Sequence, residues 1–184
     1  MANRLTRDDW LAHGFSVLET IGHDGLKADK MVSALGVSRG SFYWHFENVD
    51  VFHELLAAQW RKSQIELLLG WLNNISFENA TLQALIGQVL AKEHRLEAAM
   101  RHWAAVNDDI KATIDEIDRL RMRYMQHFLM QRGVSEAGAA ARALFLNAAF
   151  IGALPNLSQG RMNNSDFANQ IAKIILSPEL KLKK

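Results

Sequence analysis

The chain of 184 residues contains no cysteine, which excludes disulfides, thiolate nucleophiles and cysteine-ligated metal sites. It contains only 2 prolines, so long segments are free of the residue that most often interrupts a helix. No uninterrupted run of about eighteen apolar residues occurs. No apolar stretch follows the basic residues near the N-terminus, as it would in a signal peptide. We therefore expect a soluble cytoplasmic protein that does not enter a membrane.

The chain also lacks a clear excess of either positive or negative charge. The formal net charge at pH 7 is +1. Residues 1–62 contain seven Lys and Arg against eight Asp and Glu, a balance of minus one. Bulk charge therefore does not indicate a nucleic-acid partner, and any contact with DNA must depend on a few well-placed cations, hydroxyl groups and helix N-termini.

Helical periodicity, by contrast, runs through the whole chain. Apolar side chains make up 49% of the residues and recur at intervals of three and four, with no strand alternation or internal repeat. This pattern predicts an all-α protein of about nine helices. A long fourth helix, from Val49 to Leu72, is predicted to join an N-terminal domain (residues 1–48, continuing to 65) to a second helical domain (residues 49–184).

The most informative segment is residues 34–46, which read Ala-Leu-Gly-Val-Ser-Arg-Gly-Ser-Phe-Tyr-Trp-His-Phe. Gly36 directly follows an apolar helical face and can adopt the left-handed conformation that ends a helix. Ser38 stands at the N-cap position of the next helix, where its hydroxyl is expected to accept from the amides of the first turn. The segment therefore predicts two short helices joined by a tight glycine turn.

The second of these helices is predicted over residues 39–45, with one apolar side and one polar and aromatic side. Phe42 and Phe46 are four residues apart and are predicted to face the core. The other side presents Arg39, Ser41, Tyr43, Trp44 and His45. This arrangement matches a helix-turn-helix whose second helix enters the major groove of DNA. The spacing also fits an ordinary helical hairpin in an all-α domain.

The run Gly-Val-Ser-Arg-Gly-Ser-Phe-Tyr-Trp-His-Phe resembles the helix-turn-helix core of TetR-family transcriptional regulators. The resemblance extends over residues 1–65, where Gly22, residues 48–52 and Trp60-Arg61 also fit the family pattern, and continues more weakly into the second half. It implies an N-terminal DNA-binding domain followed by a helical domain that binds a small molecule and forms a homodimer. It also implies a repressor whose affinity for its operator is relieved by the bound molecule.

By this resemblance, eight residues would lie at or near the DNA: Lys27, Ser38, Arg39, Gly40, Ser41, Tyr43, Trp44 and His45. Arg39 can bond guanine bidentately or clamp a phosphate, and Tyr43 can offer its hydroxyl to phosphate or its ring to a thymine methyl. Gly40 permits close approach to the DNA backbone. Trp44 and His45 would contact phosphate. Trp44 can instead pack in the core, and His45 can instead bond a carbonyl at the helix C-terminus.

Three positions depart from the family pattern. Lys27 stands where a Thr or Ser usually caps the second helix; lysine cannot cap it, but it can pair with phosphate as a point charge. Val32 replaces a usual alanine at the helix crossing, and Val49 replaces a usual Lys or Arg at the start of the fourth helix. One of the family's phosphate contacts is therefore missing.

The predicted eighth helix is rich in alanine and glycine, whose small side chains let another helix approach closely. By resemblance, helices 8 and 9 form a four-helix interface with the same helices of a second copy. The homodimer would place two recognition helices about 34 Å apart, on a double-stranded operator that is palindromic. The same small residues are also compatible with tight packing inside one chain.

A small-molecule effector is expected to bind among helices 4 to 8. The candidate contacts are Met100, Arg101, Trp103, Tyr124, Phe128, Asn147 and Phe150. A lining rich in aromatic residues and methionine suits apolar ligands of varied shape. Each of these residues is equally compatible with a place in the ordinary core.

Other classes of function find little support in the sequence. There is no Gly-rich phosphate loop, nucleophile elbow or His-Glu-x-x-His motif, and Asp50 with His53 is the one Asp-x-x-His pair. A di-metal helical bundle would require paired Glu-x-x-His motifs. We therefore expect no enzymatic activity and no cofactor. The alternative to a regulator is a helical interaction module without sequence-specific DNA binding. The near-neutral charge of the N-terminal domain is compatible with this alternative.

Overall fold

The computed structural model describes residues 5–74, 82–91, 94–157, 159 and 165–177. These residues form nine α-helices and one 3₁₀ turn, and they contain no strand. The helices are α1 (Arg7–Thr20), α2 (Ala28–Leu35), α3 (Arg39–Tyr43), α4 (Val49–Asn74), α5 (Leu82–Leu90), α6 (Arg95–Ala104), α7 (Asp108–Met130), α8 (Glu136–Leu157) and α9 (Ser165–Leu176), with the 3₁₀ turn at His23–Gly25. The predicted all-α class and helix number are confirmed.

Side-chain caps explain where several helices begin. The backbone N–H of Asp9 donates to the Thr6 hydroxyl at 3.2 Å, and the Asp9 carboxylate accepts from the Thr6 backbone N–H at 2.7 Å. This is a reciprocal capping box at the start of α1. Asn48 and Asn107 each accept a backbone N–H three residues ahead, at 2.9 and 3.0 Å, and so start α4 and α7. The bounds of these helices therefore follow from local sequence.

The chain divides into two compact units. The first unit comprises Met1–Glu66 and Arg95–Asp115, and the second comprises Leu67–His94 and Glu116–Lys184. The first unit therefore contains α1 to α3, α6, most of α4 and the start of α7. The second contains α5, α8, α9 and the remainder of α4 and α7. The functional domain boundaries proposed from sequence remain predictions.

An aromatic cluster forms the core of the first unit. Phe42 of α3 lies 5.3 Å from the Trp10 ring, 5.0 Å from the Phe46 ring and 5.4 Å from the Phe52 ring, measured between centroids. All four side chains are at most 1% exposed. The prediction that Phe42 and Phe46 face the core is thus confirmed. Because α3 is anchored from this side, its other residues are held at the surface.

The second unit has an aliphatic core in which α5 and α9 pack side by side. Its buried members are Leu82, Leu85, Phe128, Leu129, Ala139, Ala172 and Ile175. Arg142 of α8 donates to the carbonyls of Ile175 and Ser177, at 2.8 and 2.9 Å. A cation that bonds the last carbonyls of a helix stabilises its negative end, so Arg142 ties α8 to the C-terminus of α9.

Candidate nucleic-acid interface

The turn between α2 and α3 has the geometry predicted for it. Gly36 has φ 65° and ψ 30°, in the left-handed region. The Val37 N–H donates to the Val32 carbonyl at 3.1 Å, and the Gly36 N–H donates to the Ser33 carbonyl at 3.2 Å. These two bonds form a Schellman motif, which closes α2. The start of α3 is thereby set directly after α2.

The start and the end of α3 differ from the prediction. Ser38 occupies the N-cap position, but its side chain makes no capping hydrogen bond, so the predicted hydroxyl cap is wrong. The first turn is closed instead by the backbone, with the Ser41 N–H donating to the Ser38 carbonyl at 3.0 Å. The helix ends at Tyr43 rather than at residue 45, because His45 N–H donates to the Phe42 carbonyl in a tighter three-residue turn.

One side of α3 is open to solvent. We call it the α3 outer surface: Arg39, Gly40, Tyr43 and Trp44, all exposed. Tyr43 is 43% exposed and Trp44 is 70% exposed, so the Trp44 side chain does not lie in the core. Ser41 and His45 are half-buried beside this surface. The structure therefore brings six of the eight candidate DNA contacts onto or beside one short helix, next to Ser38 at its N-cap.

His45 is engaged in holding the N-terminal segment. Its Nε2 lies 2.8 Å from the Leu5 carbonyl, and because a carbonyl can only accept, Nε2 carries the proton in this contact. The His45 carbonyl accepts from Arg7 at 2.9 Å, and the Arg7 guanidinium lies 5.7 Å from the Phe46 ring centroid. His45 thus bonds a carbonyl, but this carbonyl belongs to the segment before α1 and not to the C-terminus of the helix that precedes His45. No sequence pattern pointed to Arg7, because its partners lie 38 and 39 residues further along the chain.

Lys27 stands at the N-cap position of α2 and makes no side-chain cap, as expected for lysine. Its Nζ lies 3.7 Å from an Asp24 carboxylate oxygen, and both side chains are about two-thirds exposed or more, at 67% and 72%. An ion pair so open to water is weak.

Arg39 is held by two neighbours. Its Nε lies 3.1 Å from a carboxylate oxygen of Asp29 on α2. Its guanidinium carbon lies 5.9 Å from the ring centroid of Tyr43, one helical turn ahead. A hydrogen bond with the Tyr43 hydroxyl, followed by the negative charge of Asp29, raises the pKa of Arg39. Sequence alone does not point to Asp29, since nothing in its spacing from Arg39 indicates contact.

The seven candidate effector contacts fall into both units. Met100 and Trp103 of α6 are buried in the first unit, and Arg101 is paired with Glu97 at 2.8 Å. Phe128 is fully buried in the aliphatic core of the second unit. Their burial agrees with the alternative interpretation, in which Met100, Trp103 and Phe128 are ordinary core residues. Among the described residues, no group of three or more His, Asp and Glu could hold a metal ion.

The three remaining candidates, Tyr124, Asn147 and Phe150, lie in the second unit, and Asn147 and Phe150 are half-buried. Phe150 lies 5.2 Å from the His94 ring and 5.5 Å from the Arg121 guanidinium. The hydroxyl of Tyr124 is buried without a hydrogen-bond partner among the described residues, and burial raises the pKa of Tyr124. A buried hydroxyl of this kind is able to bond a polar atom of a ligand.

Comparison with known proteins identifies the fold. No protein-family profile matches the sequence, and no curated protein matches it. A solved structure from Rhodococcus sp., provisionally described as a TetR-family transcriptional regulator, matches with a TM-score of 0.65 at 12% sequence identity. The match covers 93% of this chain and 98% of that chain. The chain has the TetR-family fold.

In this TetR-family fold, α8 presents an apolar side to solvent. The residues of this α8 outer face are Ala137, Ala140, Ala141, Leu144, Phe145, Ala148, Ala149, Ile151, Gly152 and Pro155, all exposed. By length and composition alone α8 could cross a membrane, with a mean hydropathy of 1.5 over 18 residues, of which 17% are buried. Sequence alone does not predict this candidate span from an uninterrupted apolar run, because Arg142 interrupts it.

The turn geometry gives a testable expectation for Gly36. Replacing it with alanine is expected to lower the free energy of unfolding by about 1 kcal/mol, since a Cβ is strained in the left-handed region. Gly70 lies inside α4 with open space around its Cα, so Gly70→Ala is expected to raise stability by about 0.5–1 kcal/mol. Urea denaturation of both variants measures the two effects. Changes of the same sign would contradict this account of the turn.

Proposed function

We propose that the protein is a DNA-binding transcriptional regulator that reads its operator with α3. The observation that carries the proposal is the α3 outer surface, where Arg39, Tyr43 and Trp44 are exposed to solvent. On the opposite side of α3, Phe42 is buried in the core. Entry into the major groove requires a short helix that follows a tight turn and has its polar side exposed. The TetR-family fold supports this reading.

The roles of the individual residues follow from their chemistry. Arg39 bonds a guanine edge, and Tyr43 contacts a thymine methyl or a phosphate. Lys27, Trp44 and the α3 N-terminus, with Ser38 and Ser41, contact phosphates on either side. Gly40 lets the backbone approach the DNA. His45 acts mainly by tying the N-terminal segment to the end of α3, through the Leu5 carbonyl.

The α8 outer face supports a homodimer. Its ten exposed residues are all apolar, and on α9 the Ile174 side chain is 65% exposed. Contiguous exposed apolar surface on a water-soluble protein marks an interaction site. A two-fold partner with the same small residues would bury this face in a four-helix interface and set two α3 helices on a palindromic site. On this proposal α8 is an interface helix of a cytoplasmic protein and not a membrane span.

The proposed dimer is a repressor whose operator affinity falls when a small molecule binds in the helical second domain. The buried Tyr124 hydroxyl, which has no hydrogen-bond partner among the described residues, supports a ligand site in the second unit. An effector must bind the DNA-free state more tightly than the DNA-bound state to cause release. Operator titration with and without each compound shown to bind tests this. If every such compound leaves operator affinity unchanged, the effector proposal fails.

Selection of bound duplexes from a random DNA pool tests the regulator proposal, and a palindromic consensus is expected. Arg39→Ala and Tyr43→Ala should each lower affinity for that consensus by about tenfold or more, because each removes a direct DNA contact. Fluorescence anisotropy measures the affinity, and circular dichroism with light scattering verifies that fold and dimer persist.

Arg123→Ala is the matched control, because it removes an exposed arginine from α7 in the second unit. It should leave operator affinity unchanged. If the pool yields no consensus, or if all three variants bind like the parent protein, the interaction module becomes the better description. The near-neutral charge of residues 1–62 is the observation that favours that alternative.

A further inference from the structure

An ion pair links the two helices of the helix-turn-helix. The Nε of Arg39 on α3 lies 3.1 Å from a carboxylate oxygen of Asp29 on α2. Both side chains are mostly exposed, at 64% and 69%, so the pair adds little to folding. Its position at the α3 outer surface suggests a role in recognition instead.

Tyr43 restricts the same arginine from a second direction. Its ring centroid lies 5.9 Å from the guanidinium carbon of Arg39, one helical turn away on α3. A free arginine side chain occupies many rotamers, and ordering it upon binding costs conformational entropy. Because Asp29 and Tyr43 belong to different helices, their contacts together restrict the Arg39 side chain before any DNA is present.

The guanidinium nitrogen that Asp29 contacts determines which N–H groups of Arg39 can bind a DNA base. The Asp29 oxygen lies closest to Nε, and the other N–H donors of the guanidinium belong to its two terminal amino groups. Those amino groups form the edge that can donate two parallel hydrogen bonds to guanine O6 and N7. We propose that Asp29 is a positioning residue that orients Arg39 to read one guanine in each operator half-site.

The Asp29 carboxylate also disfavours the binding of Arg39 to a phosphate. A phosphate brought to this guanidinium would meet a negative charge about 3 Å from Nε, and like charges at such range repel. Specificity often depends on such a repulsive element beside the attractive one. Arg39 is therefore directed to a base edge and away from the DNA backbone. This inference rests on the proposed function, since it specifies what the α3 outer surface reads.

The test is Asp29→Ala, compared with Glu19→Ala, which removes an exposed carboxylate from α1 of the same unit. Binding is measured to the selected operator and to operators that carry each other base at the guanine position lost in Arg39→Ala. Asp29→Ala is expected to reduce the preference for guanine by about tenfold, within the discrimination that one bidentate contact supplies. Affinity for unrelated duplex should stay equal or rise, because a negative charge is removed. Glu19→Ala should retain the full preference.

Two conservative variants separate orientation from charge. Asp29→Glu keeps the carboxylate and should restore part of the guanine preference, whereas Arg39→Lys keeps the positive charge and should lose it. Full guanine preference in Asp29→Ala, or in Arg39→Lys, overturns the inference while the regulator proposal stands. Failure of the parent protein to select any DNA sequence overturns both. A general loss of affinity in Asp29→Ala, with the base preference intact, also overturns the positioning role.

Discussion

Phe42→Ala is expected to lower the free energy of unfolding by about 3–5 kcal/mol, the usual cost of emptying a buried aromatic site. Phe42 is 0% exposed and lies within 5.0–5.4 Å, centroid to centroid, of the rings of Trp10, Phe46 and Phe52. Its removal leaves a cavity at the point where α1, α3 and α4 meet, and edge-on ring contacts are lost with it. Urea denaturation followed by circular dichroism measures the change.

The next residue provides a matched control. Tyr43 is 43% exposed, so Tyr43→Ala should change stability by less than about 1 kcal/mol while weakening DNA binding. Phe42→Ala is expected to lose DNA binding as well, but through loss of the folded recognition helix. Equal stability losses in the two variants would show that the side of α3 assigned to the core is wrong.

Ala148→Glu is expected to convert the protein from a dimer to a monomer. Ala148 lies near the middle of the α8 outer face, whose ten exposed residues are apolar. In the proposed interface each copy would bury a carboxylate without a partner, at about 1–3 kcal/mol or more per copy. Over two copies this weakens the dimer by about thirtyfold or more. Sedimentation velocity over a range of concentrations measures the dissociation constant.

The same substitution at Ala112, which is exposed on α7, is the control. Ala112→Glu should remain dimeric, since α7 is not part of the proposed interface. Monomeric Ala148→Glu should also bind the palindromic operator more weakly, because one recognition helix then docks without its partner. If the parent chain is already monomeric, or if Ala148→Glu stays dimeric, the assignment of α8 to the interface is wrong.

Several features of the helix-turn-helix could be predicted because they depend on residues close together in sequence. The left-handed Gly36 and the buried side of Phe42 and Phe46 depend on residues within one or two helical turns. The Ser38 cap was predicted wrongly, although it is also local. A serine at an N-cap position allows a side-chain bond but does not require it, and here the backbone closes the turn.

Contacts between helices could not be predicted in the same way. The Arg39–Asp29 pair and the Arg7–His45 bond join residues on different elements. Periodicity shows that a helix has a buried side, but it does not show which other helix covers that side. For the same reason it did not indicate that residues 95–115 group with the N-terminal helices, or which candidate effector residues would be plain core.

The amino-acid sequence by itself determined the helices, their main start and stop points, and the apolar and polar sides of α3, because these depend on hydrogen bonds and side-chain spacing within a few residues. The tertiary structure decided that Trp44 is exposed, that His45 bonds the N-terminal segment, and that Arg39 is held by Asp29. Exposure and orientation of a side chain depend on what packs beside it, and those neighbours come from distant parts of the chain.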